Sequence, residues 1–137
     1  SVVRHFNNQL KKQNKIMLFK GTNETPNGEQ KRDFIYIDDC VEANLWAAFK
    51  NKESGIFNVG TGRSRSFNEL ALLLLNYHDL GKEHIEYIDF PENLFGSYQN
   101  YTQASLINIK AAGFNIDYKS LEVGIPHYLD EINKIGY

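Results

Sequence analysis

Two strand-to-helix units lie back to back in this sequence, and that repetition limits the fold more than any other feature. Phe34-Ile35-Tyr36-Ile37 reads as a buried strand, with Asp38-Asp39 capping a helix from about Cys40 to Lys50. Gly55-Ile56-Phe57-Asn58-Val59 reads as the next strand and Gly60-Thr61-Gly62-Arg63 as its turn. Ser66 with Glu69 then makes a capping box for a helix reaching about Tyr77. Upstream, Val2 to Lys12 suits a helix with Val3, Phe6 and Leu10 on one face, ahead of a short strand at Ile16-Met17-Leu18-Phe19. Gly21 to Glu29, rich in Gly, Asn, Thr and Pro, reads as a surface loop. Downstream, Ile85-Glu86-Tyr87-Ile88 is a further strand ended by Pro91. Gln103 to Ala112 reads as a helix stopped by Gly113, and Ser120 to Ile135 as a last helix disturbed by Pro126. Strands alternating with helices predict an α/β fold, ordinarily around a parallel sheet. So few short strands make a narrow sheet, incomplete unless something extends it.

Composition removes several function classes. At 137 residues the chain is expected to form a single domain, and 42% apolar with 13% aromatic residues suffices for a core. A net charge of −2 without a Lys/Arg block gives no electrostatic basis for broad nucleic-acid binding, though a small pocket for one anion is compatible with it. The longest apolar stretch, Leu70 to Leu75, is far short of the about 20 residues of a bilayer span, so no membrane crossing is expected. The one cysteine, Cys40, fits a reducing, cytoplasmic setting. Ser1 enters helix-like sequence directly, with no initiator Met and no signal-peptide pattern, and the expectation is a piece of something longer.

The chemistry-bearing motifs are few. Gly60-Thr61-Gly62 stands where a dinucleotide fingerprint would stand, but Arg65 occupies the third glycine position. The region about 20 residues on, Lys82-Glu83-His84, supplies no strand-ending acid, so a tight turn is the better account. Arg32 at a strand entrance could grip a phosphate bidentately, or pair with Asp33 or Glu29 at the surface. Phe19-Lys20-Gly21-Thr22 adds a glycine, a hydroxyl and backbone N–H groups near it, a set suited to a diphosphate. Asp38-Asp39 suits helix capping better than acid/base work, because adjacent side chains diverge. His5, His78, His84 and His127 have no metal-ligand spacing. Tyr98-Gln99-Asn100-Tyr101 is a polar-aromatic segment in a loop, where a ring can stack on a flat ligand or a hydroxyl can reach a sugar. These residues outline a ligand-shaped corner and no catalytic set.

Taken in series, Lys31-Arg32-Asp33-Phe34-Ile35-Tyr36-Ile37-Asp38-Asp39-Cys40, Gly55 to Gly62 and Ser66-Phe67-Asn68-Glu69-Leu70 resemble the C-terminal half of an extended short-chain dehydrogenase/reductase. Asn44-Leu45-Trp46, Ile85 to Pro91, Tyr98 to Leu106 and Lys110-Ala111-Ala112-Gly113-Phe114 narrow the resemblance to the family of ADP-heptose 6-epimerases, over essentially the whole chain. The resemblance implies a substrate-binding portion with the Rossmann half missing: residues 1–137 as one partial substrate-binding domain, its NADP-binding domain absent. It implies ADP-heptose as substrate, inverted at C6 by transient oxidation with tightly held NADP, toward the lipopolysaccharide core, in a homo-oligomer. The family's Tyr-x-x-x-Lys motif is absent, since none of the eight tyrosines has Lys four residues later. No catalytic and no cofactor-binding residue is therefore expected here, and the chain alone is expected to be inactive.

Residue by residue, the resemblance implies that His5 borders the sugar nucleotide and that Phe19, Lys20, Gly21 and Thr22 form the turn contacting it. Arg32 is implied on the diphosphate, and Tyr98 in the later loop. Lys20 stands where many members carry an acid, Asn23 to Gln30 is longer than the usual connection, and Ser97 stands where arginine is frequent. Another nucleotide-sugar epimerase or dehydratase on the same architecture, or a noncatalytic sugar-nucleotide-binding module, is the alternative.

Overall fold

The computed structural model describes residues 1–22, 24–91 and 98–136. Its helices are α1 (Val2–Gln13), α2 (Ile37–Phe49), α3 (Phe67–Tyr77), α4 (Ile107–Ala111) and α5 (Leu121–Ile135). The strands are β1 (Ile16–Phe19), β2 (Lys31–Arg32), β3 (Arg65–Ser66) and β4 (Ile85–Ile88), the last preceded by a single 3₁₀ turn at Lys82–His84. β1 and β4 pair in parallel with Ile16 opposite Ile85 and Phe19 opposite Ile88, while β2 and β3 form a short antiparallel pair. The α/β class holds, with the strands in two separate pairs.

The core forms where α1, α3 and α5 meet β1. Phe6 and Leu10, Leu70, Leu74 and Leu75, Ile125 and Leu129, and Ile16 and Leu18 are buried together there. The apolar spacing of α1 and α3 turns one face of each to this cluster, as helical periodicity requires. Ser66 caps α3 as the sequence predicts: its hydroxyl accepts from the Glu69 N–H at 3.2 Å, and the Glu69 carboxylate accepts from the Ser66 N–H at 2.7 Å. A second cluster joins Ala43 of α2 to Leu106, Ile109 and Phe114, with Trp46 and Phe57 against it.

Four expectations are corrected. Phe34–Ile37 is not a strand; β2 ends at Arg32 and α2 already begins at Ile37. Gly55–Val59 forms no strand, and Ile56 is 90% exposed. Both runs have the composition of buried strands, but a strand also needs a neighbour for its backbone groups, and among the described residues none lies beside them. Asp38 and Asp39 do not cap α2: Tyr36 is the N-cap residue and both acids lie in the first turn. The buried Asp39 carboxylate instead accepts from the Lys119 N–H at 2.8 Å, with Lys119 Nζ at 3.4 Å, tying the approach to α5 onto α2. The helix expected over Gln103–Ala112 is shorter, Ile107–Ala111, though Gly113 ends it in the left-handed region at φ +95°. Pro126 lies inside α5 without ending it.

Candidate functional site

The end of β1, the strand β2 and the segment after residue 97 converge on one corner. Backbone pairing brings them there: the Lys31 N–H donates to the Asn100 carbonyl at 2.8 Å, and the Thr102 N–H donates to the Lys31 carbonyl at 3.1 Å. Tyr98 is thereby held against β2. Its ring lies 4.8 Å from the Arg32 guanidinium carbon, and the Phe67 ring lies 5.9 Å from the same carbon. Phe19, at the end of β1, sets its ring 4.5 Å from Phe90 and 5.9 Å from Tyr98, and Phe90 and Tyr98 are 4.7 Å apart. Below this aromatic box opens a cavity of about 170 Å³ lined by His5, Phe6, Phe19, Gln30, Phe67 and Tyr98. Burial raises the Tyr98 hydroxyl above its ordinary value, with the Arg32 charge pulling against it, so at neutral pH the phenol keeps its proton and can donate.

Arg32 Nη1 donates to the Lys31 carbonyl at 2.8 Å. The surface pairing that the sequence leaves open does not form, because the two candidate acids are occupied elsewhere. Glu29 accepts from Asn68 Nδ2 at 2.6 Å. Asp33 is wrapped by the Gly60-Thr61-Gly62 turn: its carboxylate accepts from the N–H groups of Thr61 (2.8 Å), Gly62 (2.9 Å) and Ala104 (3.0 Å) and from the Thr61 hydroxyl. Among the described residues Arg32 therefore has no carboxylate partner, and a guanidinium with unspent donors beside aromatic rings is suited to an anionic or planar ligand.

The same turn answers the dinucleotide question. A pyrophosphate would need the amides that Asp33 already holds, and a Cβ on Gly60 would come within 2.5 Å of the Ala104 Cβ, so the space is filled as well. The turn binds the chain's own carboxylate, and its residues do not fit a nicotinamide cofactor.

The Phe19–Thr22 turn departs in part from expectation. Two of its backbone N–H groups are taken: Lys20 N–H donates to the Ile88 carbonyl at 2.8 Å and Gly21 N–H to Asn27 Oδ1 at 2.8 Å. Lys20 Nζ turns to Asp89 at 2.8 Å, and Thr22 Oγ1 accepts from Asn100 Nδ2 at 3.4 Å. The structure thus brings His5, Phe19, Arg32 and Tyr98 to one corner, while Lys20, Gly21 and Thr22 serve the adjoining loop. In that loop the buried Gln30 side chain donates to the Lys20 carbonyl at 3.0 Å, a clasp between the ends of the connection. Asn23 and Ser97, two positions of interest in the sequence, lie outside the described residues. Gln30, Phe67 and Phe90 complete the corner without standing out in the sequence; Phe67 and Phe90 are aromatic residues at motif ends, which is also the signature of ordinary packing. No group of three or more His, Cys, Asp or Glu among the described residues could hold a metal, and no described helix is long and apolar enough to cross a membrane.

Comparison with known proteins adds independent findings. The profile of the NAD dependent epimerase/dehydratase family matches residues 1–60. A protein of Alkalilimnicola ehrlichii described as ADP-L-glycero-D-manno-heptose-6-epimerase is 44% identical over 132 residues, covering 96% of this chain and 41% of that protein. The crystal structure of the Helicobacter pylori ADP-L-glycero-D-manno-heptose-6-epimerase superposes with a TM-score of 0.77 at 31% identity, over 97% of this chain and 38% of the other. UDP-glucose 4-epimerase of Thermotoga maritima, solved with UDP-glucose, gives a TM-score of 0.78 at 27% identity, over 98% of this chain and 40% of that one. The chain thus spans about two fifths of the length of the relatives it matches.

Proposed function

We propose that the chain is the sugar-nucleotide-binding portion of an ADP-L-glycero-D-manno-heptose 6-epimerase, within the NAD-dependent epimerase/dehydratase family whose profile matches residues 1–60. The observation that carries the reading is the corner where His5, Phe19, Arg32 and Tyr98 meet. Phe19, Phe90 and Tyr98 offer flat faces, and Arg32, without a carboxylate partner among the described residues, offers charge to a diphosphate. Tyr98 adds a protonated hydroxyl and His5 a ring nitrogen for the sugar or its linkage. Residues 1–137 act in this reading as one substrate-binding unit.

The reaction assigned to the whole protein is inversion at C6 of ADP-heptose, feeding lipopolysaccharide core synthesis in the cytoplasm, in a homo-oligomer. NADP supplies the oxidation and re-reduction chemistry and is held by a part of the family fold outside this chain. This chain's residues bind and orient; none of its tyrosines carries the Tyr-x-x-x-Lys spacing. Thermal unfolding tests the assignment. ADP-heptose and ADP raise the Tm in a concentration-dependent way, as any ligand preferring the native state does, while UDP-glucose does not. Stabilisation by UDP-sugars with indifference to ADP overturns the heptose assignment in favour of another nucleotide-sugar enzyme.

A further inference from the structure

Gln9 lies one helical turn after His5 on α1, and its side-chain amide has only one chemically consistent orientation. The Met17 N–H, on β1, donates to Gln9 Oε1 at 3.1 Å. A backbone N–H is a donor only, so the amide oxygen must face it and the NH₂ must face away. On that other side Gln9 Nε2 stands 3.1 Å from His5 Nε2. An amide NH₂ also only donates, so His5 Nε2 receives the bond and carries no proton. The single ring proton of the neutral imidazole is then on Nδ1, which has no protein partner among the described residues.

We propose that Gln9, anchored by the Met17 N–H, is a positioning residue that holds His5 as the neutral Nδ1–H tautomer, so that the ring offers a hydrogen-bond donor to an acceptor oxygen of the ligand at the Phe19–Tyr98 cavity. This rests on the reading of that cavity as the sugar-nucleotide site and adds the sense of one hydrogen bond to it. Free neutral histidine in water favours the proton on Nε2, so the tautomer at His5 is one the protein imposes. The relay also couples β1 to the site: the edge N–H of Met17 fixes Gln9, and Gln9 fixes the ring.

The test begins on the unliganded 137-residue chain, by long-range ¹H–¹⁵N correlation of its histidine rings. His5 shows the Nδ1–H pattern. Gln9→Glu keeps an acceptor for the Met17 N–H but presents an acceptor to His5 as well, so the ring proton moves to Nε2. An Nε2–H pattern in the unmodified chain, or a tautomer unchanged in Gln9→Glu, overturns the proposal. Titration with ADP-heptose then shows about tenfold weaker binding by Gln9→Glu, the loss of one hydrogen bond; equal affinity overturns the ligand role. If ADP alone is weakened equally, the acceptor is on the diphosphate, and if only ADP-heptose is weakened, it is on the sugar; either supports the donor. Absence of all nucleotide binding by the unmodified chain overturns the sugar-nucleotide reading and the ligand role resting on it, while the ring spectra decide separately whether Gln9 sets the tautomer.

Discussion

Arg32 has an unusual position for a cation on a small protein. Asp33, its neighbour in sequence, is committed to the Thr61, Gly62 and Ala104 amides, and Glu29 to Asn68. What Arg32 touches is the face of Tyr98 and, farther off, of Phe67, contacts worth about 1 kcal/mol at a partly exposed site. A charge-assisted bond to a diphosphate is worth more, on the order of 2 kcal/mol. Arg32→Ala is therefore expected to weaken ADP-heptose binding by about thirtyfold and to lower the Tm only slightly, as read by calorimetric titration and thermal unfolding side by side. Unchanged affinity with a strongly lowered Tm makes Arg32 a structural residue. Lys20, expected beside it, is spent on Asp89, and Lys20→Ala is not expected to reproduce the effect.

Among the elements, α3 and α5 are joined at their N-terminal ends by one side chain. Arg65, on β3, donates through Nε to Glu69 at 3.1 Å and through Nη2 to Glu122 at 2.8 Å. Arg65 beside Glu122 holds that carboxyl at about 2, below the ordinary 4.5. A carboxyl lowered in the folded state stabilises the fold fully above its unfolded value, and the contribution is lost as pH falls from there through the folded value. The Tm difference between the unmodified chain and Arg65→Met is thus largest near neutrality and shrinks between about pH 5 and pH 2. Glu122 is half-exposed, so the pair is screened and the difference at neutrality is a few degrees, about 0.5 kcal/mol. A difference constant across that range contradicts the linkage.

What neighbouring residues set is legible in the sequence: the Ser66–Glu69 box and the stop at Gly113 depend on residues a few positions apart. The bounds of β1 and β4 are legible too, and each of these strands has the other as its partner. Phe34–Ile37 and Gly55–Val59 have strand composition without being strands, because composition records the burial a run is suited to while the strand itself requires a partner. Asp39 differs from expectation for a related reason: it has the composition of a cap, but Lys119, 80 residues on, claims its carboxylate.

At the scale of the whole molecule, the described chain keeps apolar surface uncovered. Ile37, Val41, Leu45 and Phe49 recur every fourth residue along α2 and are each about half exposed or more, and Ile56 is more exposed still. A stripe of that kind, beside strand-like runs without a neighbour, accords with a chain spanning about two fifths of its relatives. The candidate site shows the same division between local and long-range information. Phe19, Arg32 and Tyr98 are legible from their own motifs and again through the family resemblance, whereas Gln9, Gln30, Phe67 and Phe90 emerge only when β1, β2 and the segment from Tyr98 are seen paired. On this reading the paired corner receives a sugar nucleotide, which amide chemical-shift mapping of the ¹⁵N-labelled chain during titration with ADP-heptose can follow residue by residue. Saturable shifts are expected at His5, Phe19, Arg32, Phe67 and Tyr98, and are lost in Arg32→Ala. Saturable shifts centred instead on the Gly60–Gly62 turn, or none at any of the five, would contradict it.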